Sequence, residues 1–225
     1  MKQLYILLFT VIALSACKKE LSGPNVIIDP FPPKILSSDT LRTGQLWGLA
    51  IGQPVADSYA RIQALRTERN INNLSIVNNV YTTLDSLQTR LPLYTSLYLD
   101  SKIGSSTGIQ INFINAKVSV IYTNDGIRLS RWPINTDNDA TIAVGDNISR
   151  VYQKLVNIKK TAYANKLERI SIFYKDIASA YDPQMSVSPQ WYFASVINDK
   201  TYNMVQLNIS AGKIASIYST VFESQ

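Results

Sequence analysis

The chain has 225 residues, one cysteine, no histidine, and 22 basic against 16 acidic side chains, a formal net charge of +6. Without histidine there is no Ser-His-Asp triad, no histidine general base and little prospect of a zinc site; a single cysteine removes intramolecular disulfides and thiolate metal clusters. The basic residues are scattered, with Lys18-Lys19 and Lys159-Lys160 as the basic pairs, so a solvated surface is expected and no nucleic-acid partner.

The chain opens "MKQLYILLFTVIALSAC", where Lys2 is the only charge before an apolar run from Leu4 to Leu14. The run is shorter than the roughly 20 apolar residues a membrane-crossing helix needs, and a positive start before a short apolar core is a secretory signal. Leu14-Ser15-Ala16-Cys17 resembles the bacterial lipobox. That resemblance implies cleavage of residues 1–16 and thioether lipidation of Cys17, with several acyl chains holding the protein to a membrane it does not span. The expected location is the cell envelope, at the outer membrane. Residues 17–40 carry four prolines and one glycine and read as a lipidated tether, with Val26-Ile27-Ile28 as an alternative edge strand.

From residue 41 the pattern repeats. "IQINFINAKVSVIY" (109–122) aligns without gaps on "VQLNISAGKIASIY" (205–218). "LSIV" (74–77) lies over "ISIF" (170–173), "LAIG" (49–52) over "IAVG" (142–145), and, more weakly, "LYTSLYLDSK" (93–102) over "WYFASVINDK" (191–200). Four colinear matches indicate an internal duplication, with copies at 41–133 and 134–225.

Each copy begins with a glycine and a helix start. Gly52-Gln53-Pro54 puts proline at the first helical position with Asp57 in the first turn, and Asp146 or Asn147 can cap the second helix. Val55, Tyr59, Ile62 and Leu65 match Ile148, Tyr152, Leu155 and Ile158 as one amphipathic stripe. The strands alternate apolar and polar, as in Ile109, Ile111 and Phe113 against Gln110 and Asn112, so each sheet should have one dry and one wet face. The expected fold class is α+β: two tandem repeats, each an N-terminal helix or helix pair packed on its own antiparallel sheet of about four strands.

The lipobox, "IGQPVADSYARIQAL" and the closing "NFINAKVSVIY" together resemble the BamE-like lipoproteins of the outer-membrane assembly machinery. A tandem of such units is similar to the β-lactamase-inhibitor-protein architecture, which implies a concave surface for protein binding. Gly52, Gly145, Gly212 and Lys213 carry the resemblance, while Ala116 departs from it where glycine is usual. The Asn-, Tyr- and Ser-rich composition is similar to that of Bacteroidota envelope lipoproteins.

Little in the chain points to catalysis. "NTDNDA" (135–140) sets Asp137 two residues from Asp139, but without the later bidentate glutamate and turn glycine of a calcium loop it reads as a solvated connection. Asp85, Asp176 and Asp182 are the candidate carboxylates for acid–base work. No catalytic residue, metal or cofactor is expected. The wet faces are more informative. By alternation Tyr94, Tyr98, Gln110 and Asn112 share one, and Tyr192, Gln206 and Asn208 the other. Tyrosine beside carboxamides suits protein recognition. The expected function is non-enzymatic binding of an envelope protein, as assembly factor, inhibitor or scaffold. A carbohydrate or small-ligand module is the alternative, and a carboxylate-dependent hydrolase a more distant one.

Overall fold

A computed structural model describes residues 33–224. The signal segment, Cys17 and Val26-Ile27-Ile28 lie outside the described residues. In chain order the elements are β1 (Lys34–Leu41), β2 (Gln45–Leu46), β3 (Leu49–Ala50), α1 (Val55–Arg69), β4 (Asn73–Ile76), β5 (Val80–Tyr81), β6 (Ser96–Asp100), β7 (Ile109–Ile114) and β8 (Lys117–Thr123). They continue with β9 (Arg128–Leu129), β10 (Arg131–Trp132), β11 (Ile142–Ala143), α2 (Ile148–Ile158), β12 (Arg169–Ile172), β13 (Tyr174–Asp176), β14 (Gln190–Val196), β15 (Thr201–Ser210) and β16 (Lys213–Glu223).

The fold class differs from the sequence expectation. The described chain is mostly β, with two α-helices and four sheets, rather than two tandem helix-on-sheet units. Two sheets are two-stranded ribbons, β2–β3 and β10–β11. The other two have six strands each, in the orders β1-β16-β15-β14-β4-β13 and β5-β12-β6-β7-β8-β9. Neither belongs to one copy. The strand that follows each helix, β4 or β12, leaves its own repeat and pairs beside the other's three-stranded meander: Ser75 of β4 faces Tyr192 of β14, and Ser171 of β12 faces Tyr98 of β6. β1 adds to the same sheet as β4 by pairing with β16, and β9 closes the other sheet beside β8.

The helices are exchanged as well. The turn before α1 is held by the second repeat's hairpin, through Gly52 N–H to Ile214 O (2.8 Å), Val55 N–H to Gly212 O (3.0 Å) and Ile214 N–H to Gln53 O (3.0 Å). The turn before α2 repeats this on the first hairpin, through Gly145 N–H to Val118 O (2.8 Å), Ile148 N–H to Ala116 O (2.8 Å) and Val118 N–H to Asp146 O (2.8 Å). α1 packs on the 3₁₀ turn Pro183–Val187 of the second repeat, and α2 on the 3₁₀ turn Leu91–Leu93 of the first. These contacts are reciprocal between the two halves of the chain, and Pro33–Gln225 is one compact unit.

Local chemistry explains the elements. The αL positions Gly52 (φ +83°) and Gly145 (φ +93°) turn the chain into each helix, a conformation glycine adopts at little cost. Asn147 caps α2 by accepting from Ser149 N–H at 3.0 Å. Pro54 occupies the N-cap of α1, and α1 ends on Asn70 in αL. Val55, Tyr59, Ile62 and Leu65 are buried along α1, and Ile148, Val151, Leu155 and Ile158 along α2, with Tyr152 half-buried. They join one apolar cluster with Leu97, Ile111 and Ile121 from one six-stranded sheet and Trp191, Leu207 and Ile217 from the other. Residues 34–40, read as the end of a tether, form most of β1; this strand is exposed along most of its length, and its polar centre (Ser37, Ser38, Asp39) gave no apolar alternation to read.

A candidate binding surface

The register of the two sheets sets one short row of side chains on each outer face. In the first, Tyr98 lies opposite Gln110 and Gln110 opposite Tyr122. In the second, Tyr192 lies opposite Gln206 and Gln206 opposite Tyr218. Both are flanked by the serine of the exchanged strand, Ser171 beside Tyr98 and Ser75 beside Tyr192. The far ends are Arg128 opposite Tyr122 and Thr40 opposite Tyr218. The duplication thus carries a Ser–Tyr–Gln–Tyr row twice, in the same register, across strands contributed by both copies.

Six of the seven residues expected on wet faces are there. Tyr98, Gln110, Asn112, Tyr192, Gln206 and Asn208 are all half-buried on outward positions. Tyr94 is not: it is 2 % exposed and inside the core. The alternation that predicted an outward Tyr94 holds only within Ser96–Asp100, and Tyr94 lies before that strand, at the end of the 3₁₀ turn. The sequence match of 93–102 on 191–200 is also out of register; pairing to Gln110 and Gln206 makes Tyr98, not Tyr94, the counterpart of Tyr192. Sequence reasoning missed Tyr122 and Tyr218 on the face. Counting outward from each hairpin turn would have found them, since both sit at matched positions of the repeat.

Carboxamides fix the second row. Tyr192 Oη donates to Gln190 Oε1 (2.8 Å), and Gln190 Nε2 (3.1 Å) and Gln206 Nε2 (2.6 Å) both donate to Asn208 Oδ1. Asn208 Nδ2 then donates to Ser216 Oγ (2.8 Å). In the first sheet Gln110 Nε2 donates to Asn112 Oδ1 at 3.0 Å. Such bonds hold amides and phenol in one arrangement before any partner arrives, which lowers the ordering cost of binding. Tyr218 is 45 % exposed, which leaves its ring available. Burial, with neighbouring Tyr174 adding to it, pushes the Tyr98 phenol up.

Beneath the face lies a buried polar knot that sequence gave no means of assembling. Asp182, 1 % exposed, accepts from Tyr94 Oη at 2.8 Å, with Arg90 Nε 3.6 Å from its other oxygen. Asn79 Nδ2 donates to Tyr94 Oη (2.9 Å), Tyr81 Oη to Asn79 Oδ1 (2.8 Å), and Arg90 Nη1 to Tyr81 Oη (2.8 Å). Lys175, 0 % exposed, sits over the rings of Tyr59 (5.2 Å) and Tyr94 (5.7 Å) and donates to Asp176 O at 2.9 Å. Residues 79–94 belong to one copy and 175–182 to the other, so the knot ties the halves together.

The candidate carboxylates sit in different surroundings. Asp182 is enclosed in the knot, Asp176 accepts from Ala178 N–H (2.9 Å) and Ser179 Oγ (3.1 Å), and Asp85 is exposed in another segment. In the 135–140 loop Asp137 and Asp139 are exposed, and the loop is closed by Thr141 Oγ1 donating to Asp137 O at 2.9 Å. Among the described residues no three acidic side chains converge as metal ligands would, and no helix is long and apolar enough to cross a membrane.

Comparison with known proteins finds no matching family model, no matching curated protein and no matching solved structure.

Proposed function

We propose that this protein is a non-enzymatic envelope lipoprotein, anchored through Cys17, that binds another protein with the outer faces of its two exchanged sheets. The observation that carries the reading is the Tyr–Gln–Tyr row, present in the same register on both sheets. Tyrosine offers a large amphipathic area at low entropic cost, and the amides supply adaptable hydrogen bonds, a pairing typical of protein recognition surfaces. Duplication of the row favours a partner that touches both sheets, so that the second contact forms at high effective concentration.

A photo-crosslinking amino acid placed at Tyr218 or Tyr122 in cells tests this. The reading expects a discrete protein adduct from both positions that is lost from a control position on α2, Gln153. Equal labelling from all three, or none from the rows, would contradict it. The anchor is checked separately: Cys17→Ser should move the protein out of the membrane fraction.

A further inference from the structure

The second outer face is not flat. Between Tyr192 and the edge strand β13 lies a hollow of about 530 Å³, bounded by Asn73, Ser75, Tyr174, Tyr192 and Met204. A second hollow of about 430 Å³ shares Asn73 and Tyr174 with it and continues to Ser96, Asn112 and Ile114 on the other six-stranded sheet. The join is direct, since Thr95 N–H donates to Tyr174 O (2.7 Å) and Tyr174 N–H to Ser96 Oγ (3.2 Å). The two hollows make one trough crossing β15, β14, β4, β13, β6 and β7. At about 4.8 Å per strand it runs on the order of 24 Å, the length of about seven extended residues.

Two properties of the lining define an occupant. The first is charge: no carboxylate, ammonium or guanidinium lines the first hollow, and the one charged group in the second is the Asp176 carboxylate. A charged group seated in the first hollow meets no counter-ion, and an acidic one in the second meets like charge. The second is unspent hydrogen bonding. The side chains of Asn70, Asn72, Asn73 and Ser75 and the hydroxyl of Tyr174 make no hydrogen bond among the described residues. Each carboxamide offers a donor and an acceptor, which matches the N–H and C=O of an extended backbone. Phe173 and Tyr174, packed edge to face with centroids 4.8 Å apart, and Met204 supply apolar walls for a side chain.

We propose that this trough seats an extended polypeptide segment of the partner that is free of acidic groups and is uncharged where it crosses the first hollow. The proposal rests on the protein-binding reading above and names the part of the partner that enters.

The test pans a random dodecapeptide display library against the detergent-solubilised mature protein and maps the enriched peptides by hydroxyl-radical footprinting of tyrosine and methionine side chains. The proposal expects enriched peptides poor in Asp, Glu, Lys and Arg, and protection of Tyr174 and Met204. Ser75→Asp, which adds a carboxylate to the floor, should weaken those peptides at least tenfold and shift reselection toward Lys and Arg. Tyr174→Ala should weaken them with no such shift. Protection confined to Tyr98 and Tyr122 would overturn the trough while leaving the protein-binding reading standing. Enrichment of charged peptides at Tyr174 would also overturn it. If no peptide is enriched, the trough proposal fails and the crosslinking from Tyr122 and Tyr218 alone decides the protein-binding reading; neutral hexasaccharides protecting Tyr174 instead would overturn both.

Discussion

Gly52 and Ile214, near opposite ends of the described chain, are joined by a 2.8 Å hydrogen bond from the amide of the first to the carbonyl of the second. Gly145 and Val118 repeat it at 2.8 Å with the roles of the copies reversed. Each repeat therefore completes the other: its helix start is held by the other's hairpin, and the strand that follows its helix widens the other's sheet. A chain built this way has no half with a closed core of its own.

Cooperativity follows directly. Fragments ending and beginning near residue 133 should each lack a cooperative unfolding transition when expressed alone. Mixing them should restore one, because every exchanged contact can re-form between chains. Denaturant titration followed by tryptophan fluorescence reads this, since each fragment carries a buried tryptophan, Trp132 in the first and Trp191 in the second. A sharp transition from either fragment alone would show that a repeat folds by itself.

The first hairpin turn carries avoidable strain. Asn115 (φ +50°) and Ala116 (φ +58°) both occupy the left-handed region, as do Ala211 (φ +50°) and Gly212 (φ +71°) at the matched turn. A two-residue turn with both central φ positive favours Asn-Gly, and an alanine there costs about 1–2 kcal/mol. Ala116→Gly should raise stability by about 1 kcal/mol in denaturant titration without changing the slope, while Gly212→Ala should lower it by a similar amount.

The knot sets a pH profile. Burial holds the Lys175 ammonium down at about 8, against the pull of Asp176 and Asp182, whose charges favour the protonated form. An unfolded lysine keeps its proton to about 10.4, so between about pH 8 and 10.4 the unfolded chain binds more protons and stability rises with pH, by about 1 kcal/mol from pH 8 to 9. Burial raises the Tyr59 and Tyr94 phenols far above their ordinary value. Above about pH 10 the unfolded tyrosines ionise first, and stability falls again. Urea titrations at pH 7, 8, 9 and 10 should show the rise, and Lys175→Met should flatten it. A wild-type profile flat from pH 7 to 9 would mean that Lys175 is hydrated in the native state.

Much of the sheet pattern was legible because period-two alternation is a local property. Ile109, Ile111 and Phe113 had to face one way and Gln110 and Asn112 the other, and they do. What alternation does not encode is the neighbour. Ile76 and Ile172 are apolar whichever meander they join, so the exchange of β4 and β12 left no trace in either strand. The two-residue strands are too short for a periodic signal and β1 has a polar centre, which is why the β content exceeds what the pattern suggests. Tyr94 was misplaced by extending a strand's parity past the residue where the strand begins. The knot pairs residues from separate copies, Tyr94 with Asp182, and only the fold brings them together.

The tyrosine rows carry their own quantitative expectation. With an isolated partner, Tyr98→Ala and Tyr192→Ala, one in each sheet, should each weaken binding by about 1–3 kcal/mol, the range of aromatic hot spots, with little loss of stability. A partner spanning both sheets makes the double variant weaker than either single one in calorimetric titration; a partner engaging one sheet would leave one of the two variants silent.

The exchange itself is tested most directly by cysteine pairing in a Cys17→Ser background. Ser75 faces Tyr192 and Ser171 faces Tyr98 across neighbouring strands. Under mild oxidation Ser75→Cys with Tyr192→Cys should close an intramolecular disulfide, read as loss of maleimide-reactive thiol, and Ser171→Cys with Tyr98→Cys should do the same. Ser75→Cys with Tyr98→Cys should keep both thiols free. Rapid closure of that last pair, with the first two remaining reduced, would place each strand in its own repeat's sheet and contradict the account.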